Sequence, residues 1–140
     1  MIKIKIASIG KTKEKWLNTG IEEYTKRLKP SATIDYIWLK EDGQLVQFAS
    51  KEPLCICLDV NGAAMDSEAF SAHIQEKIVE GGARLAFVIG GAEGLPESLR
   101  CHPNRISLSP LTMTHQLVRL VLLEQLYRAF EIAKGTPYHK

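Results

Sequence analysis

Two short segments of this chain are apolar almost without interruption, and they limit the fold more than any other feature. They are Leu54–Val60 and Leu85–Ile89. Strands of this composition are covered on both faces, as in the middle of a parallel sheet, whereas a strand with one wet face alternates apolar and polar residues. Parallel neighbours are joined by crossover connections, usually helices. The chain should therefore contain a mostly parallel sheet with helices on both of its faces.

The rest of the chain supplies the further strands and the helices that this fold needs. Alternation of isoleucine and lysine from Ile2 to Ile6 predicts a half-exposed strand at or near a sheet edge. Apolar spacings of three and four predict an amphipathic helix from Lys13 to Leu28. The remaining predicted elements are a strand at 33–39, a short weak helical turn at 41–49, a helix from Asp66 or Ser67 to Gly81 with Phe70, Ile74 and Ile78 on one face, a short helix at 96–100, a short strand at 105–108 and a long helix from Thr112 or Thr114 to about Lys134. This alternation predicts a single α/β domain over residues 1–140.

Composition excludes several classes of protein. No apolar run approaches the roughly 20 residues of a membrane helix, and the first residues alternate where a signal peptide would be continuously apolar. We therefore expect a cytoplasmic protein with no membrane partner. The three cysteines contain no Cys-x-x-Cys pair. Because Cys55 and Cys57 lie on one side of an apolar strand, we expect them to be buried and reduced, with no disulfide and no metal site.

The formal net charge of +2 is unevenly distributed. Residues 1–30 contain eight Lys or Arg against three Asp or Glu, residues 31–99 contain four against eleven, and residues 100–140 contain six against two. Two basic ends would form a surface for a polyanion if the fold brings them together. Ordinary solvated surface charge explains the same distribution, so the charge alone does not show whether the chain binds a polyanion.

Ligands of a parallel sheet bind beyond the carboxyl ends of its strands, and three such loops stand out here. They follow Leu58, Ile89 and Leu108. The second is Gly90-Gly91-Ala92-Glu93-Gly94, whose glycines allow the backbone to approach a ligand closely. A tight turn explains these glycines equally well. The loop has neither the spacing of a dinucleotide fingerprint nor that of a phosphate loop, which argues against a nucleotide-binding oxidoreductase.

The last forty or so residues carry the other candidates. His115 and Arg119 lie four residues apart, on one face near the start of the final helix, although a structural or solvated pair is the alternative. The helix is apolar over more than half of its circumference, so we expect one face to bind a partner subunit; deep burial in a monomer is the alternative. The closing residues Tyr138 and His139 could stack on a base and exchange a proton, or form part of a disordered basic tail.

Short motifs along nearly the whole chain match those of a known family in order and spacing. The matching segments are Ile9-Gly10-Lys11, Glu23-Tyr24-x-Lys26-Arg27, Leu58-Asp59, Ile89-Gly90-Gly91-x-x-Gly94-Leu95, Leu108-Ser109, Leu111-Thr112, His115-Gln116-x-x-Arg119, Glu124-Gln125-x-Tyr127-Arg128-Ala129 and Pro137-Tyr138-His139. On these residues the chain resembles the bacterial SPOUT-class methyltransferase H family, which acts on the RNA of the large ribosomal subunit. Each motif is weak alone, but their order and spacing together are specific.

The resemblance implies a fold, a cofactor and a substrate. It implies a homodimer whose subunits carry a trefoil knot in their carboxyl-terminal half, with S-adenosylmethionine as the cofactor. The implied activity is methylation of N3 of a pseudouridine in 23S rRNA within the assembled 70S ribosome. The implied cofactor contacts are Leu58, Gly90, Leu108, Ser109, Pro110, Leu111, Thr112 and Met113. These residues fall in the three loops that topology alone selects.

The chain departs from the family pattern in two places. Between Leu39 and Glu41 it lacks a stretch of roughly a short helix and a loop, and Thr114 stands where the family commonly has proline. The shortened region lies outside the cofactor loops. It therefore bears on the second helix and on part of the RNA surface more than on the chemistry.

Methylation of an imide nitrogen, which is mostly protonated at neutral pH, needs a proton acceptor. We expect His115 or His139 to take or relay this proton. Arg119 would stabilise the anion that develops on the base, and Tyr138 would orient it. The basic amino end and Arg128 would contact phosphates. A non-catalytic ribosome- or RNA-binding factor on the same fold is the alternative function, against which the intact cofactor loops and the Tyr-His tail argue.

Overall fold

The computed structural model describes residues 1–140 and contains one sheet of five strands, all of them parallel. In chain order the strands are β1 Ile2–Ile9, β2 Ala32–Leu39, β3 Cys55–Ala64, β4 Arg84–Ile89 and β5 Arg105–Ser107. The helices are α1 Lys15–Leu28, α2 Asp42–Lys51, α3 Ser67–Glu80 and α4 His115–Lys134, with a short 3-10 turn at Glu97–Leu99. The strand order across the sheet is β2-β1-β4-β3-β5.

Helices cover both faces of this sheet, which confirms the α/β prediction. On one face α1, α3 and α4 pack against a core in which Ile4, Ile6 and Phe87 are fully buried. On the other face α2 and the 3-10 turn cover a smaller core that contains Cys55 and Cys57, both buried and free. None of the helices is long and apolar enough to cross a membrane.

Because all five strands are parallel, the loops that follow their carboxyl ends share one edge of the sheet.

Two elements, α2 and β3, differ from the sequence-based prediction. α2 is a regular helix of ten residues rather than a weak turn, because Glu41 and Gln44 form a reciprocal capping box at its start. β3 continues to Ala64, with a shift of register after Leu58 where it pairs with β5. β1 pairs with β2 on one side and β4 on the other, so it lies next to the edge, which agrees with the prediction of a strand at or near a sheet edge.

Candidate functional site

The loops after β3, β4 and β5 enclose a cleft at the carboxyl edge of the sheet. Its volume is about 780 Å³, within the range of roughly 300–1,000 Å³ that small-molecule sites occupy. The residues that line it are Leu58 to Val60, Ile89 to Leu95, Leu108, Ser109, Leu111 to Gln116 and Val118. The cleft thus lies where ligands of parallel sheets bind.

Seven of the eight cofactor contacts implied by the sequence line this cleft. They are Leu58, Gly90, Leu108, Ser109, Leu111, Thr112 and Met113. Pro110 does not line it, although both of its neighbours do. The fold therefore brings together residues from three loops that are up to 55 positions apart in the chain.

The glycine-rich loop after β4 is a tight turn that also forms a wall of the cleft. A Cβ atom on Gly90 would lie 2.3 Å from the carbonyl of Gly94, so no other residue fits at position 90 without opening the loop. Gly94 has a φ of 86°, a left-handed conformation that side chains disfavour, and its N–H donates to the carbonyl of Gly91 at 2.9 Å. A tight turn and a close approach of the backbone to a ligand are therefore compatible explanations of these glycines, because the turn itself lines the cleft.

The segment between β5 and α4 forms the opposite wall and ends in a helix cap. Within it, the N–H of Leu111 donates to Oγ of Ser109 at 3.0 Å. Thr114 is the N-cap of α4, and its Oγ1 accepts from the N–H of Leu117 at 3.2 Å. A threonine performs this role well, so the departure from proline at position 114 leaves the helix start intact. The amino end of a 20-residue helix, with its free N–H groups, consequently faces the cleft.

His115, the first residue of α4, lies in the cleft wall and is half-buried. Burial of its ring, together with the positive charges of Arg119 and Lys13, lowers the pKa of His115 below its usual value, although the Ile9 carbonyl opposes this. The ring is therefore uncharged at neutral pH. An uncharged imidazole can accept a proton, which is the role that the sequence suggested for His115 or His139.

Arg119 is fully buried and uses every donor of its guanidinium. Its Nη2 donates to the carbonyls of Ile9 and Gly10, both at 2.7 Å. Its Nη1 donates to Oγ1 of Thr12 at 2.9 Å and approaches Oε1 of Gln116, and its Nε donates to Oγ of Ser8 at 3.1 Å. The guanidinium also lies 4.2 Å from the centre of the Trp38 ring. Burial lowers the pKa of Arg119 to about 10, so the group remains charged at neutral pH. Arg119 therefore fixes the loop after β1 and has no donor left for a substrate.

The carboxyl-terminal tail does not reach the cleft of its own chain. Gly135, with a φ of 75°, turns the chain back, and Tyr138 then donates from its hydroxyl to Oε2 of Glu124 at 2.7 Å. His139 follows, with Nδ1 3.0 Å from the guanidinium of Arg128. Glu124 is nine residues beyond His115, which corresponds to about 13 Å along a helix. The structure thus separates the four residues that the sequence grouped as catalytic: His115 lies in the cleft, Arg119 behind it, and the tail pair farther along α4.

Two residues near these groups have roles that the sequence reasoning did not assign. Glu124 binds Arg128 at 2.7 Å as well as Tyr138, and although burial opposes ionisation, these hydrogen bonds hold the pKa of Glu124 below its usual value. Gln116 accepts from the N–H of Lys13 at 3.3 Å and donates to the carbonyl of Lys11 at 3.0 Å. The four-residue spacing of Glu124 and Arg128 was a visible signal for their ion pair. Nothing in the sequence indicated the contacts of Gln116.

A solved structure resembles this fold. It is described as a probable methylase family protein from Haemophilus influenzae, and it superposes with a TM-score of 0.52 at 15% sequence identity, over 94% of this chain and 66% of that one. At this identity the likeness concerns the fold alone. The chain therefore shares the α/β fold of that protein, with a cleft made by the loops of β3, β4 and β5.

The sequence comparisons are more specific. Residues 2–139 match the family model described as "Predicted SPOUT methyltransferase", and the chain belongs to this family. Proteins named "Ribosomal RNA large subunit methyltransferase H" are 52% identical in Protochlamydia amoebophila, over 100% of both chains, and 41% identical in Halothermothrix orenii, over 99% of this chain and 100% of that one. The first alignment spans 140 positions and the second 159. The short form of the chain is therefore shared by a relative and is not peculiar to this sequence.

Proposed function

We propose that this protein transfers a methyl group from S-adenosylmethionine to N3 of a pseudouridine in 23S rRNA of the assembled 70S ribosome. The observation that carries the proposal is the cleft, in which seven residues expected to bind the cofactor surround a space of suitable volume, with an uncharged histidine in its wall. Membership of a methyltransferase family and the names of the relatives support the reaction and the RNA. The family's trefoil knot in the carboxyl-terminal half belongs to the same proposal.

The cleft suits a cofactor with an apolar body and a few polar groups. Leu58, Leu108 and Met113 supply apolar walls, while the glycine-rich loop and the start of α4 supply backbone N–H and carbonyl groups. When bound, S-adenosylmethionine supplies an electrophilic methyl group together with its own leaving group. The protein then has to hold the base in line with that methyl group and to accept the proton of N3.

His115 is the acceptor that the geometry favours. It lies in the wall of the cleft, and its lowered pKa keeps Nδ1 or Nε2 free to take a proton at neutral pH. Arg119 is a positioning residue in this proposal, because its donors hold the loop after β1 beside His115 instead of pointing into the cleft. His139 remains a candidate for relaying the proton away from the site.

Tyr138 and His139 would reach a cleft only across a subunit interface. The tail of one chain is held on α4 by Glu124 and Arg128, away from its own cleft. A homodimer built on the exposed side of α1 and α4 would allow the tail of one subunit to contact the base in the cleft of the other. Trp16 on α1 is 61% exposed and Leu117 on α4 is 36% exposed, which leaves apolar surface for such a contact.

Methylation of ribosomes that lack the modification tests the proposal. The protein is incubated with these ribosomes and with labelled S-adenosylmethionine, and fragments of the rRNA are analysed by mass spectrometry. One new methyl group on a single pseudouridine of 23S rRNA is the expected result. Cofactor binding measured by calorimetry without any methyl transfer would instead indicate a non-catalytic ribosome-binding factor. Absence of both would contradict the proposal altogether.

A further inference from the structure

The loop between β1 and α1 presents three lysines that have no acidic partner. Lys11, Lys13 and Lys15 are all exposed, and no carboxylate lies within ion-pair distance of their ammonium groups. Three other lysines, Lys5, Lys77 and Lys134, each have a carboxylate within 4 Å, as Lys5 has Glu52 at 3.0 Å. Three lysines without an ion-pair partner and one exposed carboxylate, that of Glu14, therefore lie within five residues of sequence, which leaves a net charge of about +2 there.

This lysine loop, residues 10–15, is held rigidly although it lies at the surface. Arg119 binds the carbonyl of Gly10 and the hydroxyl of Thr12, and Gln116 binds the backbone of the loop at two points. At its other side the N–H of Gly10 donates to the carbonyl of Leu39 at 2.7 Å. A buried arginine and a glutamine of α4 thus fix the backbone from which the three side chains project. Side chains on a fixed backbone lose less freedom when they bind a ligand.

The lysine loop lies beside the cleft. Gln116, which holds the loop, also lines the cleft next to His115. The side chain of Ile9, at the start of the loop, would lie 3.5 Å from a Cβ atom on Gly91 in the glycine-rich wall. A polymer whose base enters the cleft must therefore pass close to the lysine loop.

We propose that the lysine loop binds the phosphates of the RNA strand that flank the target nucleotide, and that Arg119 and Gln116 position it for this contact. The inference rests on the proposed function for its substrate class. Its own support is the set of three unpaired lysines on a fixed backbone beside the cleft, because such groups gain from contact with a polyanion by releasing its counterions. Arg128 is not part of this surface, since Glu124 and His139 already engage it.

A charge-neutralising variant with a matched control tests the lysine loop. The test variant is Lys11→Gln, Lys13→Gln and Lys15→Gln together. The control is Lys3→Gln, Lys26→Gln and Lys29→Gln, which removes the same charge from three exposed, unpaired lysines at the opposite end of β1 and α1. The affinity of each protein for unmethylated ribosomes is measured by sedimentation at several salt concentrations.

Each phosphate contact contributes about 0.7–0.9 to the slope of log affinity against log salt concentration. The test variant should therefore lose about 2–3 from this slope, and its affinity at 0.15 M salt should fall by roughly 50- to 200-fold. The control should keep the slope of the wild type. Equal slopes for the test variant and the wild type, or equal losses in both variants, overturn the inference.

A second measurement separates this inference from the proposed function. Binding of S-adenosylmethionine is measured by calorimetry for all three proteins, and methyl transfer is measured for the wild type. If the wild type methylates ribosomes and the slopes are unchanged, only the lysine loop is excluded. If the wild type neither binds the cofactor nor methylates, the proposed function fails whatever the slopes are. Equal cofactor binding in the three proteins also establishes that the test variant is folded.

Discussion

Truncation of Arg119 should destabilise the whole protein and not only slow its reaction. In Arg119→Ala the buried hydroxyl of Ser8 loses its donor, and an unsatisfied buried group costs about 1–3 kcal/mol. Loss of the stacking on Trp38 adds about 1–2 kcal/mol. The hydroxyl of Thr12 and the loop carbonyls are half-buried and can regain water, so they add less. The total is about 3–5 kcal/mol, a large share of the roughly 5–15 kcal/mol that stabilises a typical protein. With an unfolding entropy of about 2.1 cal/mol/K per residue, this lowers the melting temperature by roughly 10–17 °C.

Scanning calorimetry measures this shift, and two further variants define its cause. Arg119→Lys keeps the charge but has fewer donors, so its melting temperature should fall between those of Arg119→Ala and the wild type. Arg27→Ala removes an exposed arginine that is paired with Glu23 on α1, and it should melt near the wild type. A melting temperature for Arg119→Ala within about 3 °C of the wild type would refute the reasoning. If kcat were lost while the melting temperature stayed the same, Arg119 would act on the reaction, by positioning the loop after β1 or by contact with the base, and not on stability.

Three further predictions concern the cleft and the tail. Gly90→Ala forces a Cβ atom against the backbone of its own loop. Calorimetry should therefore find the affinity for the cofactor reduced by roughly tenfold or more. Unchanged affinity would contradict the account of this turn. The rate of methylation should fall as the pH drops through the lowered pKa of His115, because only the uncharged ring accepts a proton. Lys13→Gln removes a positive charge and raises the pKa of His115, so the acid limb of the kcat profile should move to higher pH. An unmoved limb would exclude His115 as the titrating group. Tyr138→Phe removes the hydrogen bond to Glu124. The amide hydrogens of the tail should then exchange roughly 5- to 30-fold faster. Equal exchange rates would mean that another contact holds the tail.

The periodicity of the sequence was sufficient to predict most of the fold. Burial repeats every second residue at Ile4 and Ile6, and every fourth at Phe70, Ile74 and Ile78, as the alternation and the helical stripe require. α2 was underestimated because it has few apolar residues and depends on polar capping at its start. Hydrophobic periodicity does not register that contribution.

The location of the candidate site was predictable from the sequence, but the hydrogen bonds of its residues were not. The carboxyl-end rule brought Leu58 and Gly90 together with the loop after β5, since strand ends share one edge of the sheet. The burial of Arg119 was not predictable, because arginine is rarely buried and its partners here are mainly backbone carbonyls and hydroxyls, which carry no sequence signal. The contact of Tyr138 with Glu124 was equally hidden, because it depends on the turn at Gly135.

The hydrogen bond between Arg119 and Ser8 joins positions 111 residues apart, and this separation has a consequence for biosynthesis. β1 gains its neighbour β4 only after residue 89 has been made, and the cover of α4 arrives later still. A nascent chain of which only the first three strands have been made therefore exposes apolar surface that β4 and α4 cover in the folded protein. Such long-range pairing makes folding slow and exposes the chain to aggregation. We expect this protein to fold only after α4 has emerged from the exit tunnel, so that its newly made strands need shielding by a chaperone until then.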